Sequence, residues 1–295
     1  MAKGTLGLPT ALYYNLSYPR YMPTQFERIL KPRRGWQPIN FREIWIRREL
    51  LAFLIWRDIN IRYRQTLFGG LWAVIQPLAG MVVFTLLFNR LAHIGSDNAP
   101  YPVFAFAGLV CWTLFANGVS LSSSSLIGNR QLISKIYFPR IFIPLGSIGA
   151  LLLDIVLNLL LMGGLMVYYH WPLSVNVIWL PLFLLLTLLT TCGIGFILSA
   201  LNVRFHDVKY VVPYLLQLWF FVTPVIYPNS FLPDRYQLLM ALNPMTGVVA
   251  GFRHSLLGTA VRWEMIALSS LVSISLFIVG LFAFRRMETY FADVI

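Results

Sequence analysis

The feature that most limits what this chain can fold into is a series of apolar runs, each near twenty residues long, recurring from residue 69 to residue 284. A helix rises about 1.5 Å per residue, so about 20 residues cross a hydrocarbon core of about 30 Å. The runs fall at roughly 69–90, 101–122, 141–168, 178–201, 209–228 and 265–284. Composition agrees: 58% of residues are hydrophobic, 12% are charged, and mean hydropathy is +0.70. A soluble domain has about 45–50% apolar and about 25% charged residues. No aqueous fold hides that surplus, so lipid must cover part of it. Backbone amides cannot go unpaired in lipid, which leaves helices or a closed barrel. Barrel strands alternate polar and apolar residues; these runs do not. The expectation is an all-α polytopic membrane protein, with a six-span transmembrane domain over residues 69–285.

The formal net charge is +12. In a soluble protein this would suggest nucleic acid; here placement matters more than size, and no nucleic-acid partner is expected. Residues 1–68, Arg130, Lys135 and Arg140, then Arg204 and Lys209, then Arg285 and Arg286 together hold 19 of the 23 Lys and Arg. The intervening segments hold only Arg90, Arg235, Arg253 and Arg262. Cytoplasmic loops carry the excess of Lys and Arg. Both termini, including the tail 286–295, are therefore expected in the cytoplasm. The spans were placed by hydropathy alone, so this alternation supports them independently.

Residues 1–38 form a polar arm broken at Tyr18-Pro19, Lys31-Pro32 and Gln37-Pro38. It lacks the apolar core of a secretion signal, and none is expected. Residues 39–68 read as an N-terminal amphipathic interface helix. Phe41, Trp45, Ala52, Trp56, Ile59 and Tyr63 fall on one stripe, with Arg42, Arg57 and Arg64 elsewhere. Such a helix suits the headgroup boundary of an anionic membrane; a soluble amphipathic helix is the alternative. Leu50, Phe53 and Leu54 leave the stripe and are expected against a neighbouring helix or subunit. Residues 229–262 are too apolar for an outer loop. Ser230 to Leu242 and Met245 to Leu257 read as two short helices broken at Asn243-Pro244. They fit a re-entrant periplasmic pair before the last span, or a helix pair on the outer surface.

No catalytic constellation stands out. His93, His170, His206 and His254 lie apart, without metal-ligand spacing. Cys111 and Cys192 fall inside apolar runs and suggest neither a disulfide nor a metal. The chain has no Gly-Lys dipeptide, hence no Walker-type phosphate loop. Any ATP and Mg²⁺ would belong to another polypeptide, so no cofactor is expected in this chain. Asp154 is the one acidic residue in the expected spans, with Asn158 a turn away. An intramembrane carboxylate marks function or a buried partner. With no basic or histidine partner evident in another span, a structural hydrogen-bonding role is favoured over a proton relay. Between spans two and three, Leu132, Ile136 and Tyr137 can share a face flanked by cations. This suits docking into a cytosolic subunit, or simple positive-inside anchoring. Aromatics within spans, including Phe84, Phe88, Trp219, Phe220 and Phe221, can stack on sugar rings or pack in the core.

Several segments carry a resemblance. Arg57-Asp58-Ile59-Asn60-Ile61-Arg62-Tyr63-Arg64-Gln65-Thr66, Leu67-Phe68-Gly69-Gly70-Leu71-Trp72 and Gln76-Pro77-Leu78 resemble the start of the first span in type-2 ABC permeases that export polysaccharide. These are the O-antigen, capsule and wall teichoic acid exporters. Ile133 to Arg140, Asn202 to Val208, Thr223-Pro224-Val225-Ile226-Tyr227, Leu242-Asn243-Pro244-Met245 and Gly251-Phe252-Arg253 resemble later segments of the same family, in order. The likeness covers about residues 40–285. It implies a homodimer working with two copies of an ABC ATPase, and a lipid-linked polysaccharide, commonly on undecaprenyl diphosphate, as cargo. It places the ATPase coupling segment at 128–138, with Arg130, Gln131, Leu132, Lys135, Ile136, Tyr137 and Phe138. The interface helix would also touch the ATPase, and Arg47, Arg48, Arg57, Arg62 and Arg64 would attract the lipid diphosphate or anionic headgroups. Phe84, Phe88, Trp219, Phe220, Phe221 and Tyr227 would line a channel between subunits. Asn243, Pro244 and Arg253 would belong to the re-entrant pair that guides exit. The alternatives are a type-2 ABC permease for a drug or lipid, a secondary transporter, and an integral membrane enzyme. The last two lack the intramembrane ion pairs or acid–base clusters they would need.

A tag placed beside residue 135 should react with membrane-impermeant reagent only from the cytosolic side; reaction from the periplasmic side alone would invert the topology.

Overall fold

The computed structural model describes residues 41–64, 70–91, 93, 95–97, 99–136, 138–231, 233–288 and 291. The arm at 1–38 lies outside these residues, as does most of the tail beyond 288. The described residues are helical, with no strand among them. Helices α1 (Phe41–Ile46) and α2 (Arg48–Arg64) precede α3 (Leu71–Phe84), which continues as a π-helical stretch over Thr85–Leu91. Next come α4 (Tyr101–Gly128), the short α5 (Arg130–Lys135), α6 (Phe142–Gly149) and α7 (Leu152–Tyr168). Helices α8 (Leu180–Arg204), α9 (Val208–Val222), α10 (Asp234–Met240), α11 (Pro244–Leu257) and α12 (Trp263–Glu288) follow.

Among the described residues, five helical segments are long and apolar enough to cross a membrane: Leu71–Leu91, Tyr101–Gly128, Phe142–Tyr168, Val175–Arg204 and Trp263–Glu288. The segment expected as span five is the shorter apolar helix α9. It ends at Val222, and Thr223 is extended at ψ 135°. Pro224 explains the stop, because a proline disfavours α geometry in the residue before it. At about 1.5 Å per residue, α9 is about 22 Å long.

Helix α4 is the hub. It packs on α3, α6, α7, α8, α9 and α11. Without a hydrophobic driving force between helices in lipid, tight contact needs small residues. Helices α8 and α12 show this: a Cβ on Gly280 would overlap the Gly193 carbonyl, and one on Gly193 would lie 2.6 Å from the Leu276 backbone. Three buried hydroxyls of α8 bond within their own helix. Thr187 donates to Phe183 O (2.8 Å), Thr190 to Leu186 O (2.8 Å) and Thr191 to Thr187 O (2.7 Å), so they carry no unpaired polar cost. Asn202 bridges helices by donating to Ser123 O at 2.8 Å. Cys111 and Cys192 are buried free thiols.

Helix α2 lies against α6. Its buried face is aliphatic: Leu54 is 1% exposed and packs over Gly146, while Ile55 meets Gly149. Leu50 and Leu51 join that contact, whereas Phe53 is exposed. From the aromatic stripe, Trp45 and Trp56 are 70% and 63% exposed, and Tyr63 turns inward. The bare glycines of α6 decide the docking face, since they admit branched aliphatic side chains closely. The two Trp side chains are left facing outward.

Replacing Gly280 by Leu forces two backbones apart and should destabilise by at least about 1–3 kcal/mol. A thermal melt of the detergent-purified protein should show it as a lowered midpoint. Gly163→Ala, where an added Cβ meets nothing within 4 Å, should not lower the midpoint.

Candidate functional site

Three constellations emerge, and the first is built around the break after α9. Proline at 224 ends the helical ladder and leaves carbonyls without intrahelical donors. Arg253, on α11 and 3% exposed, supplies them. Its Nη1 donates to Pro224 O at 2.8 Å, its Nε to Phe104 O at 3.3 Å, and its Nη2 to Val225 O. The guanidinium stacks over the Phe104 ring, 3.6 Å from its centroid. Gly108 makes room: a Cβ there would sit 2.5 Å from both Arg253 Nη2 and Val225 O. Tyr101 donates to Ile226 O at 2.7 Å. Asn243 works from the other side. Its Oδ1 accepts from Trp219 Nε1 (2.9 Å) and caps α11 by accepting from Met245 N (3.1 Å), while its Nδ2 donates to Thr223 Oγ1 (2.9 Å). Pro244 follows as the first residue of α11, where its missing N–H costs nothing. The segments Thr223–Tyr227, Leu242–Met245 and Gly251–Arg253, far apart in sequence, thus meet in one polar knot.

Beside the knot lies an aromatic wall. Phe84 contacts Phe88 (5.9 Å between centroids) and Phe220 (5.6 Å). Trp112 contacts Phe220 (5.5 Å) and Phe115 (5.3 Å), and Phe115 contacts Trp219 (5.3 Å). The structure therefore joins Phe84, Phe88, Trp219 and Phe220 in one cluster. It adds Trp112 and Phe115 of α4, which the sequence reading did not single out. Phe221 contacts Phe220 (5.4 Å) but is exposed, and Tyr227 packs on Phe231 (6.2 Å). The exposed face of α9, including Tyr214, Leu218 and Phe221, and that of α3 and its π-helical continuation, including Val83 and Leu87, are largely apolar and uncovered by the described residues.

The third constellation gathers the cationic segments. Of the arginines assigned to anionic headgroups, Arg57 pairs with Asp58 (2.7 Å) and Arg62 with Asp154 (3.2 Å). Arg48 stacks on Trp45 at 5.2 Å, and Arg64 is exposed. Asp154 is therefore not isolated. Helix α2 supplies the cation, Arg62, and Tyr63 OH donates to the other carboxylate oxygen. Asn158 donates to the Asp154 backbone O (2.8 Å) and to Ala73 O on α3 (3.1 Å). In the segment 128–138, Arg130, Gln131, Lys135 and Ile136 are exposed; Tyr137 lies outside the described residues. Leu132 is half-buried, and Phe138 is buried in a core with Leu54, Leu126, Phe142, Phe196 and Phe284. The exposed residues of this segment thus include Arg130, Gln131, Lys135 and Ile136, while Phe138 anchors its end in the core. Arg140 ties the base of this loop to Glu288 O at 2.8 Å. The loop after α8 presents Phe205, 54% exposed, beneath Arg204. No group of His, Cys, Asp and Glu that could hold a metal occurs among the described residues.

Comparison with known proteins gives this arrangement a context. The ABC-2 type transporter family matches residues 49–257. The O-antigen export system permease protein RfbA of Myxococcus xanthus is 36% identical over 215 residues, covering 72% of this chain and 82% of that protein. RfbA of Klebsiella pneumoniae is 27% identical, covering 84% of this chain and 95% of its own length. The polysialic acid transport protein KpsM of Escherichia coli is 25% identical, covering 80% and 92% respectively.

Removing the Arg253 guanidinium strands its carbonyl partners in a buried setting, at about 1–3 kcal/mol for each group left unsatisfied. Arg253→Met should therefore lower the melting midpoint strongly. Arg253→Lys, which keeps charge but loses the planar fork, should recover only part of it. A wild-type midpoint for Arg253→Met would refute the role as donor.

Proposed function

The chain belongs to the ABC-2 type transporter family, and from that premise we propose that it is the membrane subunit of an ATP-driven polysaccharide exporter, moving a glycan of the O-antigen kind across the bacterial inner membrane. It is a permease rather than an enzyme, and a separate ABC ATPase subunit supplies ATP hydrolysis with Mg²⁺. The observation that carries this reading is the similarity to two kinds of polysaccharide permease along most of the chain. The second hydrophobic core supports it. It packs Leu54 of α2, Phe138 beyond α5, Phe142 of α6, Phe196 of α8 and Phe284 of α12 together. A push on the exposed residues of α5 or on the interface helix is delivered to the ends of several spans at once.

Two copies of this chain, each with an ATPase, form the transporter. The cationic ends lie in the cytoplasm, α9 is the fifth of six spans, and α10 with α11 forms the re-entrant pair. A helix as short as α9 reaches across only where protein shelters its irregular end, and the Arg253–Asn243 knot provides that shelter. The aromatic wall and the uncovered faces of α3 and α9 meet their counterparts in the second subunit. They form a conduit whose ring faces stack on sugars. The lipid carrier is an undecaprenyl diphosphate, drawn at the cytoplasmic leaflet to Arg47, Arg48, Arg57, Arg62 and Arg64, since guanidinium pairs well with phosphate oxygens.

The test is reconstitution of the complex with its ATPase in vesicles, with a panel of lipid-linked glycans. A polysaccharide-lipid should stimulate ATP hydrolysis and reach the far leaflet, and collapsing the proton gradient should change neither. Stimulation by drugs or phospholipids but by no glycan-lipid would overturn the proposal. Charge reversal at the exposed Arg48 and Arg64 should raise the half-stimulating concentration of glycan-lipid several-fold.

A further inference from the structure

Beside the Arg62–Asp154 pair lies an open cleft of about 410 Å³. Its polar lining comes from Asp58 and Arg62 of α2, Asn117 and Ser120 of α4, and Ser147 of α6. Asp58 is already engaged, taking Arg57 at 2.7 Å and the Ser147 hydroxyl at 3.3 Å. Arg62 is only half engaged. Its Nη2 reaches Asp154 Oδ2 at 3.2 Å, while its Nη1 is buried with no hydrogen-bond partner among the described residues. A buried guanidinium nitrogen without an acceptor is costly, and the arginine fork matches two oxygens of a phosphate. The volume suits a small charged group.

The same pair holds the junction between the interface helix and the first span. Helix α7 bonds the chain before and after residues 65–69: Asp154 accepts from Arg62 and Tyr63, and Asn158 donates to Ala73 O. We propose that the Arg62–Asp154 ion pair is a ligand-responsive latch. A phosphate-bearing headgroup entering the cleft takes the guanidinium from Asp154 and releases the end of α2 from α7. Asp154 is the resident surrogate for the phosphate, and it is not orphaned by the exchange, because Tyr63 still donates to it. Release reaches the segments proposed to contact the ATPase, since Leu54 of α2 and the residues around α5 share one core. The latch rests on the exporter reading and specifies how cargo arrival is signalled.

The experiment titrates the reconstituted complex with its ATPase at fixed free Mg²⁺. The probes are undecaprenyl diphosphate in phosphatidylethanolamine–phosphatidylglycerol vesicles, or inorganic pyrophosphate. Asp154→Asn removes the competing carboxylate and should lower the half-stimulating concentration of the lipid about fivefold, the factor expected for loss of a partly exposed ion pair. Asp154→Glu keeps the pair and should stay near wild type. Pyrophosphate competing with the lipid, or acting alone, assigns the cleft to phosphate in either form; stimulation by the lipid that pyrophosphate never competes for overturns the latch. Equal half-stimulating concentrations for wild type and Asp154→Asn also overturn it, leaving the exporter reading intact. A wild-type complex that no glycan-lipid or undecaprenyl diphosphate stimulates overturns the exporter reading, and the latch with it. A second measurement needs no Asp154 variant: nitroxide labels at the exposed Ile61 and Val156 should separate when undecaprenyl diphosphate is added, and an unchanged separation overturns the release.

Discussion

Everything in this molecule answers to one demand: a peptide group surrounded by lipid or protein must find its hydrogen bond inside the protein. Long helices meet it automatically. The difficulty concentrates where the chain stops being helical, and the costliest such place is the turn after α9. Proline there is tolerable only because an arginine from another helix arrives with several donors in one plane. That arginine in turn needs Gly108 beneath it and the Phe104 ring beside it. Burying a cation among carbonyls and an aromatic face uses dipoles instead of a counter-charge, which suits a site with no acid among the atoms it touches.

The two hydrophobic cores divide the labour. The larger one runs through α4 and holds the aromatic wall; the smaller collects the ends of α2, α6, α8 and α12 around Phe138 and Phe142. Interfaces packed at crystal-like density transmit displacement rather than absorb it. A small core shared by the interface helix and the loop around α5 is therefore a suitable relay between an external motor and the spans.

Much of this was legible in the sequence. Hydropathy runs place most spans because transfer into lipid depends on local composition over about 20 residues. The same measure runs the expected fifth span past the end of α9: Thr223 to Tyr227 is apolar, but hydropathy does not register that Pro224 breaks the ladder. The Asp154 carboxylate stands out in any reading, yet its partners Arg62 and Tyr63 lie on a helix outside the spans, and nothing local links them. The aromatic stripe of α2 is visible on a helical wheel, but Leu54 wins the interior because Gly146 and Gly149 of another helix leave space for it. Trp112 and Phe115 sit in a span where every neighbour is apolar, so composition gives no sign that they complete a wall with Trp219 and Phe220. The resemblance marks Asn243 and Arg253 as a unit; the identity of the atoms they serve is a matter of tertiary contact.

The π-helical stretch at Thr85–Leu91 has a consequence for anyone scanning the first span by substitution. Bonding to the fifth residue along widens the spiral, so positions beyond Phe84 do not continue the azimuth set by those before it. Phe88 still meets Phe84, but the bearing of Asn89 and Arg90 is offset from what an unbroken 3.6-residue wheel assigns. Periodicity fitted across the whole segment would therefore blur two sectors, and the portions before and after Thr85 must be phased separately.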